Sequence, residues 1–306
     1  MNDVRQLLNK YNFKLDKISL INNVKIVDTS NGKYVIKKKK NDDINELFRY
    51  LKSKGFHNYL SFINNPNDNY LIYPYINGIP LDIESKVKDI IVIIGQLHSK
   101  TSFYKVNSID KIKEFYESQI KQIESLDKYY NDLRFMIEEQ SFISPSNYYL
   151  LRNISWIFNS LNSSKYFLDK WYNTVKDKKN RRVCLIHGNL DFEHLLESDD
   201  KFLISWDKAH NDTPIKDLID IYKKGYKYVS FYELFMLYED ISVLLPEEKY
   251  LLFSLILIPD KLNFRKSEIL NMQEVYYLVK YLNTSNEIIS NYHSSYTNSQ
   301  ENKQDK

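Results

Sequence analysis

The densest group of chemistry-capable side chains lies between two apolar runs. It reads Leu185-Ile186-His187-Gly188-Asn189-Leu190-Asp191-Phe192-Glu193-His194-Leu195-Leu196, and after Asp199-Asp200 the chain continues Phe202-Leu203-Ile204-Ser205-Trp206-Asp207. Two apolar strands around such a stretch form a hairpin that holds both loop ends rigidly, and function tends to sit on loops carried in this way. One end presents Asn189, Asp191 and His194, and the other presents Asp207. A carboxylate at the end of a buried strand must be hydrated, paired or bound to a cation. The hairpin, residues 183–207, is therefore the first candidate site.

The elements that must position it are legible from hydrophobic period. Residues 3–12 form an amphipathic helix. Short β-like runs follow at Lys17–Ile21, Val24–Asp28 and Tyr34–Lys38, separated by Asn22-Asn23 and Ser30-Asn31-Gly32, which suit tight turns. Asp42 and Asp43 cap a helix from Ile44 to Lys54 with Ile44, Leu47, Phe48 and Leu51 at helical spacing, and Gly55 ends it. A strand pair follows at 59–63 and 70–73. The two prolines and the glycine between Pro74 and Pro80 read as a hinge. Beyond it, residues 83–103, 108–140 and 146–177 read as helices, each broken once or twice. Val183–Ile186 and Phe202–Trp206 read as strands, 215–290 as helix again, and the Ser/Asn/Gln/Lys-rich tail 293–306 as disordered.

Composition narrows the classes. The 306 residues carry 43 Lys+Arg against 40 Asp+Glu, a formal charge of +3, which excludes a strongly basic nucleic-acid arm and an acidic tail. Hydrophobic residues at 43% and aromatics at 15% exclude a wholly disordered chain. The lone Cys184 excludes a disulfide framework and a structural zinc pair. Glycine, proline and alanine are scarce while Lys, Asn, Ile and Tyr abound, which points to an AT-rich genome. The longest apolar run, Leu251–Pro259, is far short of the roughly 20 residues that span a bilayer, and the N-terminus has no apolar leader. The expectation is a cytoplasmic protein with no membrane span.

The ordered residues resemble the aminoglycoside and choline phosphotransferases, which share the protein-kinase-like fold. That family carries H-G-D-x-x-x-x-N and, about a dozen residues later, an apolar residue followed by Asp. His187 and Gly188 match. Asn189 stands where the family has its catalytic aspartate, His194 where it has a magnesium-binding asparagine, and Asp207 matches the second metal-binding aspartate. Asp212-Thr213-Pro214-Ile215-Lys216-Asp217-Leu218 looks like the family's D-P-x-x-D-L. Upstream, Lys37 in Tyr34-Val35-Ile36-Lys37 looks like the strand lysine that holds nucleotide phosphates, and Glu46 like its carboxylate partner. The segment Tyr73–Pro80, Tyr75 included, falls where the family's adenine-contacting linker lies. Leu97-His98 resembles the family's helix ending in Leu-His. Lys54-Gly55-Phe56, together with the AT-rich composition, resembles the spore-coat-associated branch.

The resemblance implies an α+β, two-lobed protein-kinase-like fold: a small antiparallel β lobe at 1–76 and a larger helical lobe at 77–292. It implies ATP and magnesium as cofactors, weakened or lost here. Asn189 cannot take a proton, so general-base catalysis, typically worth about 10²–10⁴-fold, is missing at that position. His194 offers nitrogen where magnesium prefers oxygen. Asp191 shares a face with Asn189 only if the loop keeps extended alternation. Two readings follow. The preferred one is a degenerate phosphotransferase, a pseudokinase with a binding or structural role in the spore coat or sporulation, with protein partners. The alternative is an active ATP-dependent phosphotransferase on a small-molecule or protein hydroxyl, with Asp191 as substitute base. A third class, an RNA-contacting protein, is disfavoured by the small net charge.

Several residues carry plainer readings. Lys38, Lys39 and Lys40 are exposed strand-end lysines that block edge pairing. His98 reads as a core histidine, His187 as a backbone-bonding structural one, and Cys184 as inert packing. The paired tyrosines read as amphipathic packing surface.

Overall fold

The computed structural model describes the backbone from residue 2 to 304 apart from 22–23, 41–42 and 265–266, and side chains from 3 to 292 apart from those positions and 21. In chain order the first elements are α1 (Asn2–Lys10), β1 (Leu15–Ile21), β2 (Val24–Thr29), β3 (Gly32–Lys38), α2 (Ile44–Ser53), β4 (Tyr70–Pro74) and α3 (Ile83–Thr101). Next come β5 (Phe103–Val106), α4 (Ile109–Glu138), α5 (Pro145–Val175), β6 (Asn180–Ile186), β7 (Leu195–Glu197), β8 (Lys201–Leu203) and β9 (His210–Asp212). The chain ends with α6 (Ile215–Gly225), α7 (Phe231–Ile241), α8 (Pro246–Ile256) and α9 (Glu268–Gln304). Two compact units result: Met1–Thr101 with His187–His210, and Ser102–Ile186 with Asn211–Lys306. The sequence-based boundary at 76/77 falls inside the first of these.

In the first unit, β1-β2-β3-β4 form one antiparallel sheet. Strand alternation gives it two different faces. Val27, Ile36 and Ile72 point to one side and bury against Val4, Leu7 and Leu8, the apolar stripe of α1. Val24, Ile26, Val35, Lys37 and Tyr73 point to the other side and line a cavity. The register Lys37↔Leu71, Ile36↔Ile72 and Val35↔Tyr73 fixes that division. Helix α2 begins after its N-cap Asp43. Asp42 and the Asn22-Asn23 turn lie outside the described residues. Gly55 stops the helix at φ +67°, a left-handed conformation that glycine adopts without strain.

Residues 59–63 do not form the expected strand; Tyr59 makes only an isolated bridge to Leu203. The amide of Asn64 takes ladder bonds itself, accepting the Ile72 N–H at 2.8 Å and donating to Tyr70 O at 2.7 Å. The second predicted hairpin strand is also shorter than expected. It ends at Leu203, and Trp206–Lys208 turn as a short 3₁₀ helix.

The second unit is mostly helical and carries a small sheet of order β5-β6-β9. Helices α4 and α5 run unbroken for 30 and 31 residues. The expected breaks do not occur, and the polar residues inside α5 are hydrogen-bonded in place: Ser160 and Ser164 donate to Leu257 O and Ser254 O at 2.8 and 2.9 Å, and Asn153 donates to Tyr149 O. β5 lies at the end of a stretch read as helix. Its four residues are exposed and gain their partners only by pairing with Asn180–Val183. The backbone of α9 continues past 293, through the stretch predicted as a disordered tail, and side chains there lie outside the described residues.

Candidate functional site

A cavity of about 600 Å³ opens within the first unit. That volume lies within the roughly 300–1,000 Å³ of small-ligand sites. One face of the sheet covers it with Val24, Ile26, Val35, Lys37 and Tyr73, and α2 adds Ile44 and Phe48. Tyr75, Ile76 and Gly78 follow from the end of β4. Glu193, His194, Ser205, Trp206 and Asp207 come from the 187–210 segment.

Asp207 is placed by its neighbours. Trp206 is buried, donates its Nε1–H to Leu203 O at 2.8 Å, and packs edge-on against Phe56 and His187. The exposed residue after a pinned indole has little freedom. Ser205 sits in the left-handed region at φ 69°, ψ 48°, a conformation that costs a non-glycine residue about 1–3 kcal/mol. Its surroundings hold it there: its Oγ accepts a hydrogen bond from Lys37 Nζ at 3.1 Å.

The other loop end is equally constrained. His187 is fully buried, and its Nε2 lies 3.0 Å from Ile204 O, the structural role expected of it. Gly188 has φ +69°, and a Cβ there would lie 2.6 Å from Lys208 O, so only glycine fits. His194 Nδ1 lies 2.7 Å from the carbonyl of Asn189. A carbonyl can only accept, so Nδ1 carries the hydrogen and the neutral ring keeps its lone pair on Nε2.

Lys37 is half-buried. Burial lowers its ammonium below the usual lysine range, and the negative charge of Asp207 acts in the opposite sense. Burial, with Asp207 adding to it, raises the Tyr73 phenol. Lys37 and Asp207 thus line one cavity and interact electrostatically, although 170 positions separate them in the chain.

Of the residues singled out from the sequence, Lys37, Tyr75, His194 and Asp207 line this cavity together. Glu46 does not. It is exposed, and no ion pair joins it to Lys37 among the described residues. The cause is helical period: Ile44, Phe48 and Leu51 face inward, and Glu46, two residues from Ile44, points the other way. Where the resemblance implies a carboxylate, α2 offers apolar side chains. Asn189 is half-buried outside the cavity lining. Asp191 also lies outside the lining, and its Oδ1 accepts the Glu193 N–H at 3.2 Å, capping a short 3₁₀ turn.

Ser205, Trp206 and Glu193 were not anticipated as lining residues, whereas Tyr73 belongs to the segment expected at the linker. The signal for Trp206 was its place at the end of an apolar run. Ser205 had none, because its backbone conformation depends on the contacts around it.

The residues fit a nucleotide in part. Apolar walls suit a flat ring, and Lys37 suits a phosphate. Among the described residues no three His, Cys, Asp or Glu side chains are grouped to hold a metal ion. Magnesium commonly takes only one or two carboxylates beside phosphate and water, and Asp207 meets that need. His194 Nε2 is better matched to softer ions.

No protein-family model matches the chain, and no curated protein matches it in sequence. Solved structures do match in fold. An aminoglycoside phosphotransferase from Alicyclobacillus acidocaldarius superposes with a TM-score of 0.67 at 10% identity, covering 90% of this chain and 92% of that one. A spectinomycin phosphotransferase in an AMP-bound complex superposes at 0.54 with 17% identity, covering 92% and 97%. The likeness establishes the fold: α+β and protein-kinase-like, with a small antiparallel sheet lobe and a larger helical lobe. No helix among the described residues is long and apolar enough to cross a membrane.

Proposed function

We propose that this chain is a nucleotide-binding pseudokinase, a phosphotransferase-like protein whose cavity keeps the means to hold a nucleotide and lacks the general base. The observation that carries this reading is the placement of Lys37 and Asp207 in one apolar-walled cavity, with an amide, Asn189, at the sequence position of the base. In phosphoryl transfer a base residue orients the acceptor hydroxyl and takes its proton, while most of the remaining catalysis is positioning and electrostatics. When bound, ATP with magnesium would supply the phosphoryl group. Lys37 would hold its phosphates and Asp207 its metal, and the linker around Tyr75 would border its base. The missing Lys–Glu pair points the same way as Asn189, since among the described residues no carboxylate of α2 pairs with Lys37. Asp191, capping its own turn, is poorly placed to act as a substitute base. A binding or structural role in the spore coat, with protein partners there, extends this reading and rests on Lys54-Gly55-Phe56 and the AT-rich composition.

Calorimetry and thermal shift with ADP or ATP, with and without Mg²⁺, test it. The expected result is a magnesium-dependent stabilisation that Asp207→Ala abolishes, with ATP turnover at background. A protein indifferent to every nucleotide overturns the binding half. ATP turnover lost in Asp191→Ala and kept in Asn189→Ala overturns the pseudokinase half and establishes Asp191 as the base.

A further inference from the structure

The second unit holds a pocket of about 340 Å³ whose chemistry differs from that of the first unit's cavity. Its charged lining is Lys105, Lys111, Arg181 and Lys216 against a single carboxylate, Asp212. Asp212 is already shared: Lys216 Nζ lies 2.5 Å from one of its oxygens and Arg181 Nη1 3.8 Å from the other. Lys105 and Lys111 form no ion pair among the described residues. The adjoining pocket shows the contrast. There Lys178 pairs with Glu247 at 2.6 Å and Arg182 pairs with Glu248, two carboxylates for the two cations that line this pocket alone, while Arg181 lines both pockets. Beneath the cationic rim lies an apolar floor of Ile112, Phe115, Trp171 and Leu251. Phe115 meets Trp171 edge-on, with ring centroids 5.3 Å apart at 76°.

Like charges around a concave site with low-dielectric walls focus a positive potential into it, and an anion relieves their mutual repulsion. The aromatic floor adds the preference for a flat or aliphatic body that most small-ligand sites show. We infer that this pocket binds a small amphiphilic anion, an organic phosphate or carboxylate whose charged end meets Lys105, Lys111 and Arg181 and whose apolar body lies against Trp171 and Phe115. The inference is independent of the nucleotide reading, because every lining residue belongs to the second unit.

Calorimetry on the full chain tests it with phenyl phosphate and benzoate as probes, each against inorganic phosphate and benzyl alcohol. At least one organic anion binds with a dissociation constant below about 1 mM, and the better of the two identifies the head group. Inorganic phosphate and benzyl alcohol, each lacking half of the recognition, bind at least about tenfold more weakly. Lys105→Gln and Lys111→Gln, exposed changes that leave the fold intact, each weaken the organic anion by about fivefold, while Lys37→Gln leaves it unchanged. No binding of either organic anion, equal binding of benzyl alcohol, or loss in Lys37→Gln with none in the two pocket variants overturns the inference.

Discussion

The cavity of the first unit and the pocket of the second both join apolar walls to lysines, and they treat those lysines in opposite ways. In the first, one half-buried lysine hydrogen-bonds Ser205 and feels a single carboxylate, Asp207. In the second, four cations line a pocket with one carboxylate, Asp212, which only Lys216 and Arg181 reach, and the lysines stand exposed at the rim. Desolvating a charge costs free energy, whereas crowding exposed like charges costs little in water and much less in salt. The first site is therefore strained as a single charge held in place. The second is strained as a set of charges waiting for an opposite one. Substitutions in the two should separate along that line.

The largest expected effect lies in the scaffold of the first cavity. Trp206→Ala removes a buried indole packed between Phe56 and His187, a change that typically costs about 3–5 kcal/mol. Urea unfolding should show the midpoint fall, with phenyl phosphate binding in the native baseline unchanged. Loss of both would mean the two regions are not separable. Gly188→Ala comes next. Its methyl group would meet Lys208 O in a left-handed backbone, so a loss of about 1–3 kcal/mol is expected, together with a weaker nucleotide response. A fully native variant would show that the loop end is softer than its geometry implies.

Smaller effects sharpen the comparison. Lys37→Met should raise the melting temperature of the ligand-free protein while removing nucleotide binding. Burial holds this ammonium below its ordinary value of 10.5, so between its folded value and 10.5 the unfolded chain binds more protons. The wild type thus gains stability with rising pH in that window. The advantage of the variant should be full at neutral pH and shrink as pH approaches 10.5. A gap that widens would contradict desolvation as the cause. The smallest effect is Lys111→Gln. As an exposed change it should stay within about 0.5 kcal/mol of wild type by chemical denaturation, and at low salt it should lean towards stabilisation. A clear destabilisation would mean that Lys111 has a partner and that the rim is neutralised from within.

Much of the fold was legible because its determinants are local. The turn at Ser30-Asn31-Gly32, the 44–48–51 stripe and the glycine after it place β2, β3 and α2 to within a few residues. The same stripe already opposed the pairing of Glu46 with Lys37: a residue two positions from Ile44 cannot share its face. Resemblance suggested the pair, and helical geometry refused it. Residues 59–63 misled in the other direction, because a strand-like composition says nothing of a side chain such as Asn64 that takes over the ladder bonds.

The sequence by itself determined most of the elements and the chemistry available at Lys37, Asn189, His194 and Asp207. These follow from side-chain type and from periods of two or 3.6 residues, which a chain carries wherever it folds. Only the tertiary structure decided that Lys37 meets Ser205, 168 positions away, that Asp191 turns to cap its own loop, and that four cations from β5, α4, β6 and α6 line one pocket with a single aspartate. Contacts of that range depend on how buried surfaces settle against one another, and no local period encodes them.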